Sequence, residues 1–199
     1  MQQNDRLKRL NEIISLESSR YFPGKRVIHG EGKENAELFL IGEAPGGDEE
    51  REGRPFVGKS GKNLTNFLST IGLDRSDLYI TNVVKIRPIK LSEKTGKPVN
   101  RPPDLSEKEL FSPYLYKEIE IIKPKVIVTL GNVPLQAVLK DKRALIGNYH
   151  GNVICFGGMN IFPLYHPAAV IYNGKLKHVY NEDILKLREY LDVWGEKGI

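Results

Sequence analysis

With 199 residues, 40% of them apolar and 28% charged, the chain has the size of one domain of about 100–200 residues and an ordinary polarity. Apolar runs such as Val126-Ile127-Val128 fall far short of the about 20 residues a membrane helix needs. The single cysteine, Cys155, excludes an intrachain disulfide and any site built from several thiolates, while the net charge of +5 favours a polyanionic partner.

Met1 to Asp5 has no apolar leader core, so a cytoplasmic location is expected. Leu7, Leu10, Ile13 and Ile14 then recur at helical spacing. Glu37 to Ile41 reads as a strand, Leu64, Phe67, Leu68 and Ile71 as a helix face, and Leu78 to Asn82 as a second strand. Residues 87–104 hold Pro88, Pro98, Pro102 and Pro103 with Arg87, Lys90, Lys94, Lys97 and Arg101. They predict a long irregular basic loop, either for phosphates or simply solvated. A capping box, Ser106-x-x-Glu109, is expected to open a helix carrying Leu110, Phe111, Leu115, Ile119 and Ile122, which Pro113 should bend or shift. Lys125 to Leu130 reads as a strand. A further strand, Asn152 to Phe156, is expected to turn at Gly157-Gly158 into Asn160 to Tyr165, and its apolar surroundings predict that Cys155 is buried. The last helix carries Ile184, Leu185, Leu187, Leu191 and Trp194. This alternation predicts one α/β domain over residues 1–199. Its three layers would hold a mostly parallel sheet of four to five strands flanked by helices.

Ligands of open parallel sheets sit at the carboxyl ends of the strands. Those ends here are Gly42-Glu43-Ala44-Pro45-Gly46, Thr81-Asn82, Leu130-Gly131-Asn132 and Tyr165-His166-Pro167. A carboxylate, an amide, a glycine turn and an imidazole should therefore share one rim. Each also has a plainer reading: Asn82 as a turn residue, His166 as a turn before proline, Glu43 as a helix-start carboxylate. Gly53-Arg54-Pro55-Phe56-Val57-Gly58-Lys59-Ser60 fits the P-loop spacing. An acidic loop, Asp48 to Glu52, is expected where a buried strand is required, and Pro55 lacks an amide donor, so a nucleotide cradle is not expected.

Taken in order, Gly42 to Gly46, Gly53 to Gly58, Ile80-Thr81-Asn82-Val83-Val84-Lys85 and His166-Pro167-Ala168-Ala169 resemble the motifs of family 4 uracil-DNA glycosylases. The likeness runs from about Ile13 to Leu191. It implies a monofunctional DNA glycosylase that flips uracil from the stack and hydrolyses its N-glycosidic bond. It implies catalytic roles for Glu43, Glu49 and His166, with Glu43 favoured among the carboxylates. Gly42, Ala44, Pro45, Gly46, Phe56 and Asn82 would bind the base. Lys85, Arg87, Arg101, Ile171 and Lys175 would meet DNA, and Val170-Ile171-Tyr172 would either form an apolar wedge or simply start the last helix. The implied partner is uracil-containing DNA, met by a monomer. A non-catalytic module for damaged DNA, or a glycosylase for another base such as hypoxanthine, are the alternatives.

The chain departs from the family at one place. Family 4 members hold an iron–sulfur cluster on four cysteines, and such clusters need thiolates. The corresponding positions here are Ser15, Ser18, Ile86 and Phe111. No cluster and no other cofactor is therefore expected. Ile86 and Phe111 are expected to touch and fill the space, with the Ser15–Ser18 turn nearby.

Overall fold

The computed structural model describes residues 3–196, with side chains to residue 193, so the side chain of Trp194 lies outside the described residues. Helix α1 (Gln3–Tyr21) turns Leu7, Leu10, Ile14 and Ser18 inward at helical spacing. A two-residue edge strand, β1 (Glu31–Gly32), precedes β2 (Leu38–Gly42), the short α2 (Gly47–Glu52), α3 (Lys59–Thr70) and β3 (Tyr79–Asn82). A hairpin of β4 (Ile89–Leu91) and β5 (Pro98–Asn100) leads to α4 (Leu105–Ile122), β6 (Val126–Leu130) and α5 (Asn132–Leu139). The chain continues through β7 (Ile154–Phe156), β8 (Met159–Leu164), α6 (Pro167–Tyr172) and α7 (Leu176–Glu196). No described helix is long and apolar enough to cross a membrane.

One six-stranded sheet runs in the order β1-β3-β2-β6-β8-β7. Its four inner strands are parallel, and β1 and β7 pair antiparallel at the edges. Residues alternate between faces along each strand. Phe39, Ile41, Ile127 and Ile161 meet α1 and α4 through Ile14, Phe111, Leu115 and Ile119. Leu38, Leu40, Val128 and Phe162 meet α3 and α7 through Leu64, Leu68, Tyr180 and Leu187. Both faces are covered, which is why the inner strands are mostly apolar. In register, Gly42 stands opposite Asn82, so the ends of β2 and β3 are level.

Several expectations need correction. The sheet has a sixth strand, because β1 is too short to show any periodicity. Residues 87–104 are not wholly irregular: Ile89 pairs with Asn100 and Leu91 with Pro98 across a turn closed by the Ser92 amide on the Lys97 carbonyl at 2.9 Å. That hairpin is largely exposed and carries no apolar alternation to announce it. The capping box of α4 is Asp104 and Glu107, two residues upstream of the expected pair: Asp104 accepts from the Glu107 amide at 3.0 Å, and Glu107 from the Asp104 amide at 2.8 Å. Helix α4 therefore starts earlier and runs on through Pro113. Asp48 to Glu52 form α2 rather than a loop. Cys155 is exposed, since edge strand β7 turns Ile154 inward and Cys155 outward.

Candidate active site

The parallel strands deliver their carboxyl ends to one rim. A cleft of about 540 Å³ opens there, lined by Glu43, Ala44, Pro45, Phe56, Asn82 and His166 among others. Gly46 belongs to the same wall. Gly42 lies behind it. A Cβ added at Gly42 would collide with the Asn82 amide oxygen and the Phe56 ring, so only glycine lets these two side chains sit together over the end of β2.

The two carboxylates differ in their surroundings. Glu49 is spent on backbone: Oε2 accepts from the Gly46 amide at 3.0 Å, and Oε1 accepts from the Val57 and Gly58 amides at 3.0 and 2.8 Å. It ties the turn after β2 to the loop that carries Phe56. The Val57 and Gly58 amides, which a phosphate cradle would need, are thereby occupied, in line with the rejection of the P-loop reading. The Glu43 carboxylate has no hydrogen-bond or ion-pair partner among the described residues, and burial raises its pKa against the opposing pull of Lys108.

Phe56 takes a left-handed backbone, φ 52°, a conformation that costs a side-chain-bearing residue about 1–3 kcal/mol. Arg75 holds it there, donating to the Phe56 carbonyl at 2.8 Å and to the Pro55 carbonyl, and is itself held by Glu31 at 2.7 Å. Gly61 lies so close beneath that a Cβ would strike the Phe56 carbonyl.

His166 caps α6. Its Nδ1 accepts from the Ala168 amide at 3.1 Å, so that nitrogen carries a lone pair and the proton sits on Nε2. Burial pushes the imidazole down to about 4, against the pull of the Glu49 carboxylate. The ring is therefore a neutral donor at physiological pH, 6.2 Å from the Phe56 ring centroid.

His29, whose Nε2 lies 3.0 Å from Ser15 Oγ, is likewise lowered to about 4, by burial and then by the charge of Lys85. Both imidazoles protonate near 6.5 once unfolded. As pH falls from about 7 towards 4 the unfolded chain takes up these protons first, so their contribution to stability is complete above about 6.5 and is lost down to about 4. Urea midpoints at pH 7 and pH 5 are expected to differ less in His29→Gln than in the parent; an equal difference would remove His29 from this account.

The expected DNA contacts fare unevenly. Lys85 cannot meet phosphate: it is 0% exposed, and its ammonium faces Glu118 at 2.6 Å inside the core. The residue points inward because it follows the end of an inner strand. Arg87 is paired with Glu50 at 3.0 Å and Asn100 at 2.8 Å, and Arg101 makes two 2.7 Å bonds to Glu107. Both guanidinium groups brace the hairpin. Ile171 and Tyr172 are exposed on α6, Tyr172 at the cleft mouth, whereas Val170 is buried. Lys175 is exposed just beyond. The sequence order hides further lining groups: Asp48, Lys59 and Ser60 around α2 and the start of α3, and Asn100, which the β4–β5 hairpin carries into the cleft.

The residues at the cluster positions do not fit an iron–sulfur cluster. Ser15 and Ser18 lie on helix α1, not a turn. Ile86 and Phe111 are fully buried in one apolar cluster, with Phe22 stacked on Phe111 at 6.2 Å. The Ser18 hydroxyl is buried without a hydrogen-bond partner. Cys155 lies away from them on the edge strand, and among the described residues no group of three His, Cys, Asp or Glu side chains is placed to hold a metal.

A parallel sheet with this cleft at its carboxyl edge defines a class of protein. The family model described as the uracil DNA glycosylase superfamily matches residues 29–188. The type-4 uracil-DNA glycosylase of Sulfurisphaera tokodaii is 38% identical, over 93% of this chain and 84% of its own length. Those of Saccharolobus solfataricus and Thermotoga maritima are 41% and 38% identical, covering 84% and 85% of this chain and 77% and 85% of theirs. A solved structure of Pedobacter heparinus SMUG2 shares the fold, with a TM-score of 0.54 at 16% identity over 81% of this chain and 77% of that one. The chain belongs to the uracil DNA glycosylase superfamily and, within it, to the type-4 uracil-DNA glycosylases.

Proposed function

We propose that this protein hydrolyses the N-glycosidic bond of uracil in DNA, acting as a cytoplasmic monomer in base excision repair. The observation that carries this reading is the cleft in which an aromatic ring, an amide and a neutral imidazole donor converge: Phe56, Asn82 and His166. A flipped uracil is planar and needs a face to stack on, which Phe56 supplies. Its edge presents an N3–H donor beside a carbonyl acceptor, which the Asn82 amide held in one orientation matches together, whereas cytosine presents the reverse pair, an N3 acceptor and an amino donor.

When the bond between the sugar C1′ and N1 breaks, its electron pair leaves with the base and positive charge builds on the sugar. The Nε2–H of His166 would meet the negative charge at uracil O2. The half-buried Glu43 carboxylate would stabilise the sugar cation or place the water that adds to C1′. The water oxygen bonds to C1′, and its proton balances the uracil anion. Glu49 acts through the backbone instead, by holding the loops that carry Glu43 and Phe56. Ile171 and Tyr172 would fill the gap left in the stack, and Lys175 would hold a phosphate beside it.

The test is incubation with single- and double-stranded oligonucleotides bearing uracil, hypoxanthine or xanthine, followed by alkali. Cleavage at uracil, lost in Asn82→Ala and His166→Ala, is the expected result. Binding without cleavage at any base would replace this reading with a damage-binding module, and cleavage confined to hypoxanthine would change the substrate.

A further inference from the structure

Beneath the floor of the cleft lies an ion pair that the chemistry above does not use. Lys85 and Glu118 are both wholly excluded from solvent. The Lys85 ammonium lies 2.6 Å from Glu118 Oε2, 2.5 Å from Thr81 Oγ1 and 2.8 Å from the backbone carbonyl of Asn82. Its three hydrogens thus have three acceptors. Thr81 also donates to Glu118 at 3.2 Å, so the network closes on itself.

A buried ion pair is often no more stabilising than well-packed apolar side chains of the same volume. Stability alone therefore gives little reason for this one. What an apolar side chain could not supply is a donor to the Asn82 carbonyl. The peptide between Asn82 and Val83 is gripped on both edges: the Val83 amide donates to the Gly42 carbonyl at 2.9 Å, and the Asn82 carbonyl accepts from Lys85. A peptide plane held on one edge can pivot; held on both it cannot, and the direction of the Asn82 side chain is then set.

We propose that Lys85 and Glu118 are positioning residues for the reaction: the Lys85 ammonium, anchored by Glu118 of α4, locks the carbonyl of Asn82 and so aims its amide at the base. This rests on the reading of Asn82 as a base-binding residue. Lys85 acts through Asn82 and touches no substrate.

The discriminating measurement is a mutant cycle on the single-turnover rate of uracil release. Lys85→Met/Glu118→Leu removes both charges together and so avoids leaving one buried alone. In the parent background it is expected to slow release about 10-fold or more, with affinity for DNA carrying an abasic-site analogue held within about 2-fold. In an Asn82→Ala background the same pair of changes is expected to cost less than about 2-fold, because the group being aimed is gone. Full rate in Lys85→Met/Glu118→Leu overturns the proposal. So does an equal loss in both backgrounds, the mark of a general loosening of the fold. Should the double variant not fold, Glu118→Gln, which keeps the shape and frees the lysine, is measured in the same two backgrounds against the same criterion. A parent-like rate in Asn82→Ala fails the reading of Asn82 and the proposal with it, whereas a slow Asn82→Ala beside a full-rate double variant fails the proposal alone.

Discussion

Replacing His166 with alanine is expected to slow uracil release by about 100- to 1,000-fold, the usual loss when one pre-aligned donor is removed from a developing anion. The size follows from the way the imidazole is prepared. The Ala168 amide claims Nδ1, so the ring presents Nε2–H and cannot turn over to present a lone pair without losing its cap. Burial keeps the ring neutral down to about pH 4, so donation needs no prior protonation. Two consequences separate this from a merely structural role. Affinity for abasic DNA should change far less than the rate, although loss of the cap costs α6 about 0.5–2 kcal/mol. The parent rate should also show no inflection from this ring between pH 5 and 8. An imidazole titrating near 6.5 with rising activity below it would mean a charged donor and would overturn the assignment.

The second large effect is expected at Glu49. Glu49→Ala strands three backbone amides that now share one carboxylate. The site is partly open to water, which discounts the cost, and a loss of about 2–4 kcal/mol of stability is expected. Activity should fall by more than stability implies, because both walls of the cleft are hung on this side chain: Gly46 on one, Val57 and Gly58 beside Phe56 on the other. Glu49→Gln keeps an acceptor oxygen and should recover part of the stability and part of the rate together, as read by urea titration and single-turnover assay. A Glu49→Gln protein of parent stability with no activity would instead make Glu49 a catalytic carboxylate. Spacing alone cannot distinguish a carboxylate facing substrate from one facing its own backbone, so the sequence places Glu49 beside Glu43 among the catalytic candidates.

The same limit applies to Lys85. A lysine in a basic chain, two residues before Arg87, reads as a surface phosphate contact. Its burial depends on Glu118, 33 positions further on, being folded against it. Asn100 was hidden for a related reason. It sits among prolines and lysines in a segment without periodicity, and only the pairing of Ile89 with Asn100 brings it to the cleft. The left-handed Phe56 is also invisible in sequence, because Arg75 and Glu31, which hold it, lie on separate elements.

What the amino-acid sequence determined by itself was the layered fold and the rim. The inner strands are buried on both faces, so Leu38 to Ile41, Val126 to Val128 and Ile161 to Leu164 must be apolar runs, and the polar residues beyond them stand out. That is local information, as is the absence of cysteine at Ser15, Ser18, Ile86 and Phe111, where the resemblance implies cluster ligands. What only the tertiary structure decided was the state of each polar group at the rim: Glu43 without a partner, Glu49 bound to three amides, His166 neutral with its proton on Nε2, Lys85 locked under Asn82. Hydrogen bonding and desolvation depend on what lies within a few ångströms in space, and those neighbours come from distant parts of the chain.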